Sequence, residues 1–457
     1  MDMSLRINRV LLLRFYGLIT FINLFVIFYS RGPIEGDARN LGNLDPGSDW
    51  FGPIPPLIYG GWPISGENWD LTLSLLQVTF FCLGYFLLLD IKKRYLGYFE
   101  SFSQLSIYWV GMLFCSQLWR DATLLAFVIL GLGFIKFAIQ SKFRLKIVLF
   151  IFGLLFIIIG ACCKYIYSPI IAFLLLIQIR NAITFTKNII AGFIIIFLFV
   201  STAPFLLNNA ISTSLGLHKS FPEQQPIIFD LTSIYCWGSS EQSNKQAIEY
   251  LRVAKKVDYP DESICSSLEP TGWDTLRTDR PKWEYSSPLS PLMNDSSVQV
   301  MIRNWLKLIM DYPQEYLEIK IIHSTQVLIM ANAIGPRSDR SNIFSPGDSV
   351  FNKISQFFTW PPRIMDKLRF FSIGFVLLVT LTLLAKTLLA RRSTLLQGLR
   401  EELGFTLILL CLLFQLIITT VSFVSSNGRY SFPFTLLALI FILNILSDKS
   451  SRIRREL

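Results

Sequence analysis

Residues 144–180 read RLKIVLFIFGLLFIIIGACCKYIYSPIIAFLLLIQIR. Two apolar runs, 144–162 and 164–180, stand here with Lys164 between them. About twenty apolar residues in a row are long enough to cross a bilayer core of roughly 30 Å as a helix. A helix satisfies its own backbone hydrogen bonds, which lipid cannot do for it. Lys142, Arg144 and Lys146 precede the first run, and Arg180 and Lys187 follow the second. Both basic clusters then fall on one side of the membrane, as expected of an antiparallel pair whose cationic ends stay in the cytoplasm.

The same pattern extends in both directions. Further apolar runs occupy 9–30, 69–90, 102–117, 119–140, 186–208, 368–390, 402–424 and 430–447, which predicts ten membrane-spanning helices. Of the 457 residues, 52% are hydrophobic and only 16% charged, where a soluble domain has about a quarter charged. One core cannot hide that much apolar surface. The net charge of +10 does not point to nucleic acid, because the basic residues cluster in short loops beside the apolar runs. From a cytoplasmic start, the loops bearing Arg6/Arg9, Lys92-Lys93-Arg94, Lys142–Lys146, Arg180/Lys187, Lys386–Arg400 and Lys449–Arg455 all fall on the same side. Both termini are then cytoplasmic. The first run is too long for a cleaved signal, and no small-residue cleavage site follows it.

Three units follow: an N-terminal membrane module (1–208) with a first outer loop at 31–68, an extracytoplasmic segment at 209–367, and C-terminal membrane helices at 368–457. In the outer segment, 244–256 and 296–311 alternate apolar and charged residues at helical spacing. Pro313 suits the first turn of a helix at 313–330 that carries Tyr316, Leu317, Ile321 and Leu328. A mostly helical outer domain is expected. Cys236 and Cys265 share this segment, and an oxidising compartment would permit a disulfide between them; two unrelated thiols are the alternative. The other five cysteines lie in apolar runs, as small hydrophobes do. No zinc-binding spacing is found, and His218 and His323 read as surface or packing residues.

The chemistry is sought on the outer face. The loop 31–68 places Asp37, Asp45 and Asp49 just beyond the first span, followed by Trp50 and a proline-rich stretch. A carboxylate at the water–lipid boundary can serve as a general base on a hydroxyl, or it can hold a divalent cation. Arg120-Asp121 sits at an outer helix boundary, where charge is costly without a cavity or a partner. Arg429-Tyr430 opens the last helix from the same face. Arginine binds phosphate oxygens through a planar fork of donors; snorkelling interfacial anchors are the alternative. Lys164 and Lys219 are further cations near outer helix ends.

These residues resemble the GT-C class of polytopic glycosyltransferases, in particular bacterial members similar to the protein-mannosyltransferase (family 39) and lipid A aminoarabinose transferase group. Asp37 in Glu35-Gly36-Asp37-Ala38-Arg39 matches the catalytic aspartate that follows the first helix in that class. Asp49-Trp50-Phe51-Gly52-Pro53-Ile54-Pro55-Pro56-Leu57 looks like a variant of an Asp-Trp-His-Pro-Pro-Leu element, without the histidine. Arg120-Asp121 resembles the basic–acidic pair that opens the fourth helix, and Asp311–Leu317 a Pro-x-x-Tyr-Leu element. Asn427-Gly428-Arg429-Tyr430 keeps the Arg-Tyr of a Glu-x-Arg-Tyr start but not the acid. The resemblance implies an inverting transferase with Asp37 as base. It also implies a polyprenyl-phosphate-linked sugar as donor and a glycan, lipid or protein as acceptor. Arg39, Asp45, Asp49, Trp50, Arg120, Asp121, Arg429 and Tyr430 would line the substrate site, outside a bacterial inner membrane. No cofactor is required beyond an optional divalent cation, and membrane lipid is the one other expected partner.

Two other classes compete. A protein like an O-antigen polymerase or ligase would use a diphosphate-linked glycan and arginines and would need no loop aspartate. A transporter or non-catalytic scaffold would carry ionisable groups in mid-span or inverted repeats of broken helices, and neither is evident.

Overall fold

The computed structural model describes residues 6–29, 54, 58, 69–89, 95–116, 120–141, 145–179, 189–216, 224–255, 265, 295–329, 372–389, 395–422 and 432–456. In chain order these form α1 (Arg9–Tyr29), α2 (Trp69–Leu88), α3 (Tyr98–Cys115), α4 (Arg120–Gln140), α5 (Lys146–Cys163), α6 (Ser168–Ile179) and α7 (Ile189–Ser214). Then come α8 (Gln224–Trp237), α9 (Glu241–Lys255), α10 (Asp295–Asp311), α11 (Pro313–Ile329), α12 (Ile373–Leu389), α13 (Leu395–Ser422) and α14 (Phe432–Glu456). Each of the ten apolar runs contains an α-helix among the described residues. Five contain stretches long and apolar enough to cross a membrane: Leu71–Leu88, Arg120–Gln140, Lys146–Cys163, Ile194–Ser214 and Glu402–Thr420. Val10–Ile22, Tyr165–Ile179, Ile373–Leu388 and Phe432–Leu446 are shorter apolar helices. The protein is a helical membrane protein.

The all-α expectation needs one correction. Arg6–Asn8 (β1) pairs antiparallel with Tyr95–Gly97 (β2), Arg6 opposite Gly97. This ribbon joins the residues that enter α1 and α3, so those two helices start at the same end. A second correction concerns the run 164–180. It opens with a 3₁₀ turn at Tyr165–Tyr167, and only Ser168–Ile179 is α-helical.

Helix α4 is the axis of the bundle. In its span 78% of residues are buried, against 17% for Ile194–Ser214 of α7. It is enclosed because glycines let its neighbours approach to backbone distance. A Cβ on Gly84 of α2 would meet the backbone nitrogen of Leu130 at 2.5 Å, and one on Gly131 would meet the Gly153 carbonyl of α5 at 2.5 Å. Such approaches drive helix association in lipid, where no hydrophobic force acts between helices. Lys136 of α4 donates to the Leu88 carbonyl and so caps the C-terminus of α2, where orphan carbonyls seek donors.

The helices of the 209–367 segment have a core of their own. Ile228, Phe229, Leu231 and Ile234 of α8 pack with Leu251 of α9, Met301 and Leu308 of α10 and Ile319 of α11. A disulfide links Cys236 at the end of α8 to Cys265. Pro313 is the first residue of α11, where its missing N–H costs nothing. This helix also joins the membrane bundle, through contacts with α12 and α13.

Candidate functional site

Successive membrane helices reverse direction, and polar contacts show which ends meet. Gln77, in the N-terminal half of α2, donates to Thr123 near the start of α4 at 2.6 Å. Ser74 Oγ reaches the Ser116 carbonyl just past α3 at 3.4 Å. Asn208 of α7 donates to the Cys162 carbonyl near the end of α5 at 3.1 Å, supplying one of that helix's orphan acceptors. At the start of α14, the Phe432 ring lies 4.6 Å from that of Phe114, and Phe434 lies 4.8 Å from Tyr167. One end of the bundle therefore gathers the starts of α2, α4, α6 and α14 and the ends of α3, α5 and α7.

The charged centre of this end is an ion pair. Lys164 Nζ lies 2.5 Å from Asp121 Oδ1, with both side chains buried. Asp121 stands in the first turn of α4, where an anion suits the positive end of the helix dipole. Lys164 is held in the break between α5 and the 3₁₀ turn, its Nζ 5.6 Å from the ring centre of Tyr167. The partner that a charge at this boundary requires is thus Lys164, a residue read from the sequence only as a further cation. Arg120, half-buried, is the first residue of α4 and directly precedes Asp121.

Of the site residues expected from the sequence, Arg120 and Asp121 are adjacent at this end. Asp37, Arg39, Asp45, Asp49, Trp50, Arg429 and Tyr430 lie outside the described residues, as do His218 and Lys219. The chain that bears Asp37 enters α2 at Trp69, at the gathered end, and Arg429-Tyr430 immediately precede α14 there. Among the described residues no group of three or more His, Cys, Asp or Glu side chains is positioned to hold a metal.

A second buried ion pair was not legible as such. Lys320 of α11 lies 2.7 Å from Asp230 Oδ1 of α8, and Trp305 Nε1 donates to Asp230 Oδ2 at 3.2 Å. Lys320 also donates to the Thr420 carbonyl at 3.1 Å, and His323 Nδ1 lies 3.2 Å from the same oxygen. A carbonyl only accepts, so His323 carries its proton on Nδ1. Thr420 is within the last turn of α13, whose orphan carbonyls and negative dipole end attract a cation. Burial raises the Asp230 carboxyl, and Lys320 and Trp305 pull it back down. Burial, with Lys320 beside it, lowers His323 to about 4, so the imidazole is neutral near pH 7. The missed signal was a stripe: Tyr316, Lys320, His323 and Val327 recur at helical spacing on one face of α11. A lysine on a core-facing stripe requires a buried acid.

No family model, no curated protein and no solved structure matches the chain.

Proposed function

We propose that the chain is a membrane glycosyltransferase that moves a sugar from a polyprenyl-phosphate donor to an extracytoplasmic glycan, lipid or protein. The observation that carries this reading is the cluster Arg120–Asp121–Lys164 at the bundle end from which the Asp37 loop and the Arg429 turn both extend. Asp37 takes the proton of the acceptor hydroxyl. The acceptor oxygen attacks the anomeric carbon, the bond from that carbon to the phosphate oxygen breaks, and polyprenyl phosphate leaves with the extra negative charge. Arg120 and Arg429 face that charge as it develops, the transition-state role for which preorganised cations are suited. Asp121 and Lys164 fix the start of α4 and hence the position of Arg120.

Ten spans with both termini in the cytoplasm put this end outside, and two features support that. The basic residues gather at the opposite helix ends. The Cys236–Cys265 disulfide belongs to an oxidising compartment such as a bacterial periplasm.

The test is sugar transfer from a panel of synthetic polyprenyl-phosphate sugars by purified protein. Transfer should fall by about 10²–10⁴ in Asp37→Asn with folding intact. Wild-type protein that transfers nothing from any monophosphate donor, yet extends a diphosphate-linked oligosaccharide with Asp37→Asn unimpaired, would reject the reading in favour of a polymerase-like enzyme.

A further inference from the structure

Helix α11 makes two contacts with the membrane bundle, and their spacing fixes how it lies. Lys320 and His323 reach the carbonyl of Thr420, and Ser324 Oγ lies 3.2 Å from Thr420 Oγ1. Farther along, a Cβ on Gly374 would meet the Leu328 carbonyl at 2.8 Å. Thr420 sits within the last turn of α13, and Gly374 is the second residue of α12. These two helices pack together and are joined by a short connection, so these ends lie side by side. Positions 320–324 and 328 of α11 are about 6–12 Å apart at 1.5 Å per residue. Packed helices stand about 8–10 Å apart. α11 therefore touches the last turn of α13 with its middle and the start of α12 with its C-terminal end.

A helix laid across the ends of two membrane helices has a side turned to the bilayer. Its inward stripe is accounted for: Lys320, His323 and Val327 are buried. Next to it run Leu317, Ile321 and Leu328, spaced to share one face. Leu328 rests against Gly374, but Leu317 is 57% exposed and Ile321 61%. The apolar surface beneath is of the same kind. Ile417, one turn below Thr420 on α13, is 56% exposed, and Leu378, one turn below Gly374 on α12, is 64% exposed. Those side chains are exposed on helices of the membrane bundle, close in the chain to the two points where α11 touches it.

We propose that α11 lies along the membrane surface as an interfacial helix and that Leu317 and Ile321 insert into the boundary between headgroups and acyl chains. The partner is the lipid itself. Apolar side chains on one side of a helix bind at this depth by the area they bury. The segment 209–367 is thereby anchored twice: its polar stripe grips the end of α13 and its apolar stripe grips the bilayer. This anchorage is independent of the transfer reaction.

The experiment uses full-length protein in nanodiscs holding one copy each. Leu317→Cys and Ile321→Cys are labelled separately with a polar bimane maleimide, and wild type, whose free cysteines are buried or half-buried, sets the background. Lipids carry a nitroxide at the fifth acyl carbon. Quenching at both sites should exceed that at Glu249→Cys, on the exposed face of α9, by at least about twofold. Quenching no greater than at Glu249→Cys overturns the proposal, as does a label shielded only when discs hold two copies, which assigns the face to a second copy. Hydroxyl-radical footprinting of the unsubstituted protein gives a readout that no variant can spoil. Leu317 and Ile321 should be oxidised less than Val300 of α10, which is only 38% exposed; oxidation in proportion to exposure overturns the proposal.

Discussion

The two buried aspartate–lysine pairs share a chemistry and differ in their surroundings. In Asp230–Lys320 every charge is answered: a tryptophan N–H reaches the carboxylate, a helix-end carbonyl takes the ammonium, and the neighbouring histidine is neutral. The groups come from α8, α10, α11 and α13, so the pair fastens the outer helices to one another and to a membrane helix. Asp121–Lys164 joins the start of α4 to the break after α5, and Arg120 precedes Asp121 on α4. A balanced pair is a joint. The Asp121–Lys164 pair stands instead at the bundle end from which the loop bearing Asp37 leaves, and the proposed transferase reading depends on that position.

The strongest way to break the comparison is to delete the charges. Lys164→Met or Lys320→Met alone leaves a buried carboxylate without its ammonium and should cost about 3–5 kcal/mol by denaturant unfolding in detergent. The double variants separate the two sites. Asp230→Leu with Lys320→Met and Asp121→Leu with Lys164→Met should each regain most of that loss, because an apolar pair of similar volume is tolerated where an ion pair was. Transfer should survive the first replacement and be lost in the second. Loss of transfer in both would mean that the outer joint also serves the reaction.

The disulfide tests whether the outer helices stand on their own core. Replacing Cys236 and Cys265 by serine releases a loop of 29 residues and should lower stability by about 3–4 kcal/mol. Hydrogen exchange should rise in α8 and α9 and stay unchanged in α4. A uniform rise would show that the two cores melt as one.

Acid should loosen the outer joint selectively. His323 falls from an ordinary 6.5 to about 4 in the fold, so the unfolded chain binds more protons between those values. Stability should therefore fall as the pH drops from 6.5 to 4, by about 3 kcal/mol at most. The charged groups facing it are Lys320 and Lys320's partner Asp230, and His323→Gln separates their titration from its own. That variant should flatten the slope in this window, and an unchanged slope would remove His323 from the account. The smallest effect is steric. Gly84→Ala or Gly131→Ala should cost about 1–3 kcal/mol by overpacking, and either should reach the Asp121 end only by shifting α4.

The apolar runs were legible because their length and their flanking charges are physical requirements of a bilayer, and each contains a helix among the described residues. Pro313 and the apolar stripe of α11 were legible from spacing alone. The pairing of Asp121 with Lys164 was not, because the two residues stand far apart in sequence and meet only when α4 and α5 have packed. Nor was the closeness of that packing. Gly84, Gly131 and Gly153 sit in runs rich in other apolar residues, and nothing local marks a glycine as the point where two backbones touch. The β1–β2 ribbon was missed for a related reason. Three-residue strands carry no period, and their partner lies almost ninety residues away. Asp37 and Arg429, on which the proposed transfer depends, lie outside the described residues.

The Asp121–Lys164 pair also bears on how the chain is made. Asp121 leaves the ribosome about forty residues before Lys164, a gap of roughly 2–9 s at ordinary rates of synthesis. During that interval Asp121 lacks its ammonium and Gly131 lacks α5, while Gly133 can already close against Gly84 of α2. The salt bridge therefore closes only after α5 has been made, so the outer end of α4 reaches its final form later in synthesis than its packing on α2.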